Sequence, residues 1–194
     1  MTGSLPAAYF EALYTSDPDP WRFASSEYER AKYQQTIASL SRQRYASALE
    51  VGCSIGVLTG LLAERCDRLL AVDVAAAALA QARQACAAFP WVRFTQASIP
   101  GEWPGETFDL IVLSEVLYYL DREDIGRTAA LACRSLRPGG TVLLVHWTGP
   151  TNYPMSGDAA AETFIAACTA RFAPLAHVKH PCYRLDRLND LALR

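Results

Sequence analysis

The sequence lacks any apolar run near 18 residues, and its N-terminus carries no apolar export segment. These absences argue against a membrane span and a secretion signal, so we expect a cytoplasmic protein. The net charge is only −2 and the pI about 5.9, which argues against the broad basic face of a nucleic-acid-binding protein. The net charge does not argue against a pocket that is basic only locally.

The cysteines lack the spacing of a metal site or a disulfide framework. All six are far apart, with no C-x-x-C pair and no histidine at zinc-ligand spacing. We therefore expect reduced thiols and no bound metal. The 194 residues, 51% hydrophobic and 20% charged, suit one compact domain with a good core.

Strand and helix patterns alternate along the chain, and such alternation predicts an α/β fold with βαβ units and a parallel sheet. Strands are predicted at 46–51, 68–73, 91–96, 108–113 and 141–145, followed by an antiparallel pair at 174–180 and 182–188. Helices are predicted at 5–15, 26–41, 56–66, 75–88, 122–136 and 158–172. The caps are predicted at Ser26 and Asp158, and residues 137–140 (Arg-Pro-Gly-Gly) are predicted to stop a helix.

A glycine turn joins the first predicted strand to the first helix of the alternating region. It reads Glu50-x-Gly52-x-x-x-Gly56. A strand that enters a glycine turn and then a helix brings bare backbone close to a nucleotide-like ligand. Asp73 ends the second strand, 21 residues after Gly52, where it is placed to accept hydrogen bonds from two ribose hydroxyls. A glycine turn kept for packing alone is the alternative.

The turn departs from the dinucleotide fingerprint G-x-G-x-x-G. Cys53 and Ser54 stand where that fingerprint has its second glycine. Close approach of a pyrophosphate is therefore disfavoured, which argues against a nicotinamide reductase.

Residues 50–56, Asp73, Phe108-Asp109-Leu110-Ile111 and residues 136–140 resemble motifs of class I S-adenosylmethionine-dependent methyltransferases. The resemblance covers about residues 46–147. It implies a Rossmann-like fold with a mostly parallel seven-stranded sheet, helices on both faces and an N-terminal helical lid. It also implies S-adenosyl-L-methionine as cofactor and S-adenosyl-L-homocysteine as product.

The family resemblance also implies a set of cofactor contacts. In that family the first glycines lie under the amino-acid part of the cofactor, the acid holds the ribose, and the fourth strand ends beside the sulfonium. Members often carry an acid for the adenine amino group after the third strand, whereas this chain has Gln96-Ala97-Ser98-Ile99, so Ser98 or backbone serves there. The implied cofactor-binding residues are Trp21, Tyr33, Glu50, Gly52, Cys53, Ser54, Gly56, Asp73, Val74, Ala97, Ser98, Ile99 and Ser114.

A narrower resemblance covers nearly the whole chain. Residues 19–23 (Asp-Pro-Trp-Arg-Phe), Tyr28-Glu29, Lys32-Tyr33 and residues 114–120 (Ser-Glu-Val-Leu-Tyr-Tyr-Leu) resemble the nodulation protein S family. Those proteins N-methylate the deacetylated glucosamine end of a chitooligosaccharide. The resemblance implies methyl transfer to an amine of a small molecule, with an amino sugar or a deacetylated chitooligosaccharide as acceptor. The net charge and the lack of a long apolar run argue against a nucleic acid or a membrane as partner, and the sequence leaves the oligomeric state open.

Three residues are candidate catalytic groups. Glu115 follows the fourth strand and is placed to hold a substrate ammonium or accept its proton. Tyr119, or its neighbour Tyr118, is placed to orient the amine. His146 ends the fifth strand at the same carboxyl edge, and imidazole titrates near neutrality. A helix-start acid, two core aromatics and a structural histidine are the alternative.

The N-terminal aromatics have two interpretations. Trp21, Tyr28 and Tyr33 suit closure over a sulfonium, because aromatic faces attract cations by about 0.5–2 kcal/mol each. The alternative is that they anchor a helix. The single domain 1–194 then divides into an N-terminal helical cap (1–45), a cofactor-binding core (46–147) and a C-terminal part with the substrate loop, a helix and two strands (148–194). O- or C-methylation of a small natural product and a non-catalytic cofactor-binding module remain alternatives.

Overall fold

The computed structural model describes residues 3–169 and 172–190. Within them the chain is an α/β protein with a seven-stranded, mostly parallel sheet, which confirms the predicted fold class. The strands are β1 (Ala48–Val51), β2 (Leu69–Asp73), β3 (Val92–Gln96), β4 (Phe108–Ser114), β5 (Leu136–Trp147), β6 (Phe172–Lys179) and β7 (Tyr183–Asp190). The helices are α1 (Ala7–Ser16), α2 (Glu27–Ala38), α3 (Val57–Ala63), α4 (Ala76–Ala85), α5 (Arg122–Ser135) and α6 (Gly157–Cys168), with a 3-10 turn at Leu117–Tyr119.

The chain divides into two compact units, and each is described by itself. The first unit runs from Pro6 to Ser98 and contains α1 to α4 with three strands in the order β3-β2-β1. All three strands are parallel, with Val72 of β2 opposite Val51 of β1 and Thr95 of β3. Their carboxyl ends therefore lie at one edge, where the glycine turn and Asp73 follow.

The second unit joins the residues up to Leu5 to the chain from Ile99 onward. Its strands follow the order β4-β5-β7-β6. β4 and β5 are parallel, whereas β7 pairs antiparallel with both β5 and β6, so the predicted C-terminal antiparallel pair is confirmed. Every residue of β4 is buried, as its continuous apolar sequence indicated.

β5 is longer than predicted. The helix α5 ends at Ser135, in keeping with the predicted stop at residues 137–140, and the Arg-Pro-Gly-Gly segment lies inside β5. Phe108 pairs with Leu136 and Leu110 with Thr141, so the extra residues of β5 form a bulge between these pairs. Gly139 has a φ of 71°, a conformation that glycine adopts without strain. The predicted stop of the helix before Arg137 is therefore confirmed, and only the start of β5 differs from the predicted residue 141.

The helix caps follow the prediction at α2 and depart from it at α6. Ser26 caps α2 by accepting from the Glu29 N–H at 3.4 Å. Ser156 caps α6 by accepting from the Ala159 N–H at 3.2 Å, so the predicted cap at Asp158 is wrong. The Asp158 carboxylate lies in the first helical turn and binds Arg184 of β7 at 3.0 Å. α6 ends at Cys168, short of the predicted 172, while residues 170 and 171 lie outside the described residues.

The N-terminal helix α1 packs on the rest of the first unit. Tyr14 of α1 forms a buried cluster with Ile55, Ala75 and Ala78. Glu11 of α1 reaches the start of α4, where its carboxylate accepts from the N–H groups of Ala76 and Ala77 at 2.7 and 3.4 Å. Because Ala75 at the cap position has no side-chain oxygen, Glu11 supplies the cap of α4 from another helix.

Candidate functional site

The turn after β1 is built from residues in the left-handed region. Gly52, Ser54 and Gly56 have φ values of 78°, 51° and 86°. The N–H groups of Gly52 and Cys53 both donate to the Val72 carbonyl, at 2.9 and 3.1 Å, so the turn is tied to the end of β2. Glycine adopts these angles without strain, whereas Ser54 needs support from its surroundings.

Gly56 also permits a close helix contact. A Cβ at this position would lie 2.9 Å from the Cα of Ala82 and 3.0 Å from its Cβ. The glycine therefore lets the start of α3 approach α4 closely. This geometry supports a packing role for Gly56, the alternative that the sequence left open for the turn.

Cys53 points into the core. Its side chain is 3% exposed and packs with Ala71, Leu79 and Phe94. Burial raises the pKa of the Cys53 thiol, which keeps it protonated. Only the backbone of Cys53 is therefore available at the predicted cofactor turn.

Asp73 is held by backbone on both carboxylate oxygens. Its Oδ2 accepts from the Ser54 N–H at 2.8 Å, and its Oδ1 accepts from the Ala75 N–H at 2.9 Å. Burial raises the pKa of Asp73, while these backbone hydrogen bonds act in the opposite direction. Each carboxylate oxygen has a second lone pair, so an oriented Asp73 can accept from two further donors, as a ribose diol requires.

Glu50 is a buried carboxyl in β1, one residue before the strand ends. It is 1% exposed, and its Oε2 has no hydrogen-bond partner among the described residues. Burial raises the pKa of Glu50 to about 8; Asp73 adds to the rise and the Thr59 hydroxyl opposes it. A buried oxygen without a partner costs free energy, which a bound cationic group would relieve.

Aromatic rings form a row beside the glycine turn of residues 52–56. Trp21 lies 5.6 Å from Tyr14 and 5.6 Å from Phe23 between ring centroids, and Phe23 lies 6.5 Å from Tyr33. The structure thus brings the predicted Trp21 and Tyr33 into one row. Tyr28 is different, because it is exposed and lies under the Lys32 ammonium.

The sequence reasoning missed Tyr14, although the structure links it to the turn. Its hydroxyl lies 2.5 Å from the Ser54 Oγ. The available signal was the spacing of Phe10 and Tyr14, which places both rings on one face of the predicted helix.

The other edge of the predicted cofactor site lies at the ends of β2 and β3. The Ala97 N–H donates to the Asp73 carbonyl at 3.0 Å, and the Gln96 side chain donates to the Val74 carbonyl at 3.0 Å. Ser98 is exposed just beyond. Asp73, Val74, Ala97 and Ser98 therefore lie at one edge of the first unit, where β2 and β3 end.

The remaining predicted residues belong to the second unit, where Glu115 is the central one. Its φ is 55°, a strained backbone for a non-glycine residue. Its Oε2 accepts from the Tyr118 hydroxyl at 2.6 Å and from the Trp147 N–H at 2.9 Å. Ser114 is buried immediately before it, and Ile99 opens this part of the chain.

His146 is fully buried and acts as a hydrogen-bond acceptor. Its Nε2 accepts from the Leu117 N–H at 3.2 Å. A ring nitrogen that accepts carries no proton, so the imidazole is neutral at this nitrogen and holds the 3-10 turn. The structure therefore places His146 at the predicted edge with its Nε2 already engaged.

Three tyrosines pack together next to Glu115. Tyr153 stacks on Tyr118 with centroids 5.4 Å apart and meets the edge of Tyr119 at 4.7 Å. Burial raises the pKa of Tyr118 and of Tyr119, so both hydroxyls stay protonated. The predicted substrate loop, which begins after residue 147, thus contributes Tyr153 to this cluster, while Asn152 is exposed.

His177 and His180 lie in the C-terminal hairpin of β6 and β7. His177 contacts Asp186 at 2.7 Å, and His180 stacks on Tyr183 with centroids 4.1 Å apart. In the described part of the chain, no three His, Cys, Asp or Glu side chains are grouped to hold a metal ion. No helix there combines the length and apolar character that a membrane span needs.

Comparisons with known proteins converge on one family. The sequence pattern that defines the family described as nodulation protein S (NodS) matches residues 13–150. Nodulation protein S of Rhizobium tropici is 35% identical over 156 residues, which cover 78% of this chain and 64% of that protein. Nodulation protein S of Sinorhizobium fredii is 35% identical, over 76% of this chain and 69% of that protein.

A solved structure shows the same similarity. The N-methyltransferase NodS from Bradyrhizobium japonicum WM9, in complex with S-adenosyl-L-homocysteine, superposes with a TM-score of 0.81 at 26% identity. The match covers 95% of this chain and 98% of that one. The match thus spans nearly the whole length of the solved chain, but only about two thirds of the length of the two relatives compared by sequence.

Proposed function

The chain belongs to the nodulation protein S (NodS) family, and from this premise we propose that it is an S-adenosyl-L-methionine-dependent methyltransferase that methylates an amine of a small molecule. The acceptor class is an amino sugar or a deacetylated chitooligosaccharide, as the family resemblance implies. The observation that carries the proposal is the oriented Asp73 carboxylate beside the buried Glu50, whose Oε2 has no partner among the described residues.

The residues of the first unit fit the cofactor. Asp73 offers two oriented acceptor oxygens for the ribose, and Glu50 offers a buried carboxyl oxygen for an ammonium, which would favour the ionised form of Glu50. The rings of Trp21 and Tyr33 suit a cation. When bound, S-adenosyl-L-methionine supplies a methyl group that is already activated on a sulfonium.

The residues of the second unit serve the acceptor in this proposal. Two hydrogen bonds to Oε2 fix the Glu115 carboxylate, and we assign to Glu115 the binding of the substrate ammonium and the removal of its proton. Tyr119 and Tyr153 pack against each other and against Tyr118, whose hydroxyl donates to Glu115. His146 receives a supporting role, because its Nε2 already binds the Leu117 N–H. The protein then contributes mainly proximity and orientation.

The test is a mass-spectrometric screen. The purified protein is incubated with S-adenosyl-L-methionine and a panel of amino sugars, chitooligosaccharides with one deacetylated end, small amines and the matching hydroxyl compounds. We expect one added methylene on amine acceptors only. Methylation confined to hydroxyl compounds would contradict N-methylation. Absence of cofactor binding would contradict the whole proposal.

Glu115→Gln tests the role of the carboxylate. The amide keeps the shape but takes up no proton, so we expect kcat to fall about 100-fold with an unchanged affinity for S-adenosyl-L-homocysteine. Glu162→Gln is the matched control, because Glu162 is an exposed carboxylate of α6. Equal turnover of Glu115→Gln and the unaltered protein across the pH range would remove Glu115 from the mechanism.

A further inference from the structure

Tyr14 of the N-terminal helix α1 is linked to the predicted ribose acid by two successive contacts. The Tyr14 hydroxyl lies 2.5 Å from the Ser54 Oγ, and the Ser54 N–H donates to the Asp73 Oδ2 at 2.8 Å. Ser54 has a left-handed backbone that a serine adopts only at a cost. The contact from Tyr14 therefore supports a strained residue that in turn orients the Asp73 carboxylate.

The same helix also fixes the other side of Asp73. The Asp73 Oδ1 accepts from the Ala75 N–H, and the next two N–H groups, of Ala76 and Ala77, donate to Glu11 of α1. Glu11 and Tyr14 lie three residues apart, on one side of α1. α1 thus holds both backbone segments that position Asp73.

The packing of Tyr14 holds its hydroxyl in place beside Ser54. Its ring is 5% exposed and packs with Ile55 and Ala75, so the hydroxyl has little freedom to move away from Ser54. Burial raises the pKa of Tyr14, so the hydroxyl stays protonated. A neutral hydroxyl held in this way can restrain Ser54 throughout the neutral pH range.

We propose that Tyr14 is a positioning residue for cofactor binding, which acts through Ser54 to preset the Asp73 carboxylate for the ribose. This inference rests on the proposed function, since it concerns the same cofactor site. The proposed function requires only that Asp73 binds the ribose. Beyond it, the orientation of the Asp73 carboxylate before the cofactor binds depends on the Tyr14 hydroxyl of α1.

The experiment measures binding of S-adenosyl-L-homocysteine by calorimetry to the full chain and its variants. Tyr14→Phe removes only the hydroxyl, and we expect the Kd to rise about 3- to 10-fold, the usual effect of one lost hydrogen bond. In turnover, the KM for S-adenosyl-L-methionine should rise by a similar factor while kcat stays nearly constant. A purely structural role would lower the melting temperature without this split.

Tyr45→Phe is the matched control. Tyr45 is a buried tyrosine of the same unit whose hydroxyl contacts the Ser41 Oγ at 3.2 Å, but it precedes β1 whereas the cofactor turn follows it. The control loses the same kind of contact, and its Kd should match that of the unaltered protein.

A double-mutant cycle with Ser54→Ala tests the route. If Tyr14 acts through Ser54, Ser54→Ala and the double variant should bind with the same Kd as Tyr14→Phe. Additive losses would overturn the route through Ser54, and an unchanged Kd in Tyr14→Phe would overturn the inference while the proposed function stands. No binding by the unaltered protein would overturn the proposed function and this inference with it.

Discussion

At the scale of single residues, Glu50 ties the stability of the fold to pH. Its pKa is raised from 4.5 to about 8 by burial, so the folded chain binds a proton that the unfolded chain releases. Below pH 4.5 the Glu50 carboxyl is neutral in both the folded and the unfolded chain. Its full contribution to the free energy of unfolding is therefore present there. As the pH rises from 4.5 through 8, that contribution is lost.

We predict that the free energy of unfolding decreases across this window, by up to about 1.4 kcal/mol per pH unit from Glu50. Glu50→Gln mimics the neutral carboxyl and should remove this component. The measurement is urea unfolding at pH 5.5, 7 and 8.5 for both proteins. Parallel pH profiles would contradict the raised pKa of Glu50. The pKa of Asp73 is also raised by burial, so Asp73 contributes its own pH dependence to both proteins. The effect of Glu50 is therefore given by the difference in the free energy of unfolding between the two proteins at each pH.

At the scale of elements, the start of α6 depends on one glycine. A Cβ on Gly157 would lie 1.8 Å from the Trp147 carbonyl oxygen, well inside any real contact. Backbone cannot yield as a flexible side chain does, so the helix start would have to shift. Gly157 thus fixes where α6 begins relative to the end of β5.

We predict that Gly157→Ala lowers the free energy of unfolding by about 2–4 kcal/mol. Gly126→Ala is the matched control inside α5, where a Cβ meets nothing within 4 Å. There alanine should stabilise by about 0.5–1 kcal/mol, because it is the better helix former. Chemical denaturation of both variants checks the contrast, and equal effects would contradict it.

The contact between α1 and α4 leads to a second prediction about elements. Glu11→Ala removes the carboxylate that accepts from Ala76 and Ala77, and should cost about 1 kcal/mol. Glu11→Gln keeps an acceptor oxygen and loses only the charge at the helix N-terminus, so it should cost about half as much. Urea unfolding separates the two. A larger loss in Glu11→Gln than in Glu11→Ala would contradict the cap.

At the scale of the whole molecule, cofactor binding should raise stability by mass action. S-adenosyl-L-homocysteine at 100 times its Kd should add about 2.7 kcal/mol, and the melting temperature should rise by about 5–10 °C. NAD should leave the melting temperature unchanged, because Cys53 and Ser54 replace the second glycine of the dinucleotide fingerprint. A shift with NAD alone would favour a nicotinamide enzyme.

Much of the fold was predictable, because short apolar runs that alternate with helical patterns specify β1 to β4 locally. The extent of β5 was not predictable, since the bulge at Gly139 depends on pairing with β4. The cap of α6 was misplaced because Ser156 and Asp158 are both good cap residues two positions apart. In the structure Ser156 accepts from the Ala159 N–H, while Asp158 binds Arg184 on β7, a contact that the local sequence does not show.

The candidate site was predictable where it follows strand ends. Asp73 and the glycine turn lie where their positions after β2 and β1 indicated. Tyr14 and Glu11 were missed, because their partners are 40 and 65 residues away along the chain. Such contacts depend on how α1 packs, which its own sequence does not specify.

The cap that Glu11 gives to α4 has a consequence for amide hydrogen exchange. The first N–H groups of a helix have no acceptor within the helix, so they normally exchange with solvent rapidly. The amides of Ala76 and Ala77 instead donate to a side chain of α1. Their exchange rates therefore report how often α1 leaves the first unit. Two amide protons thus measure the opening of the N-terminal helix at equilibrium, with no probe attached to the protein.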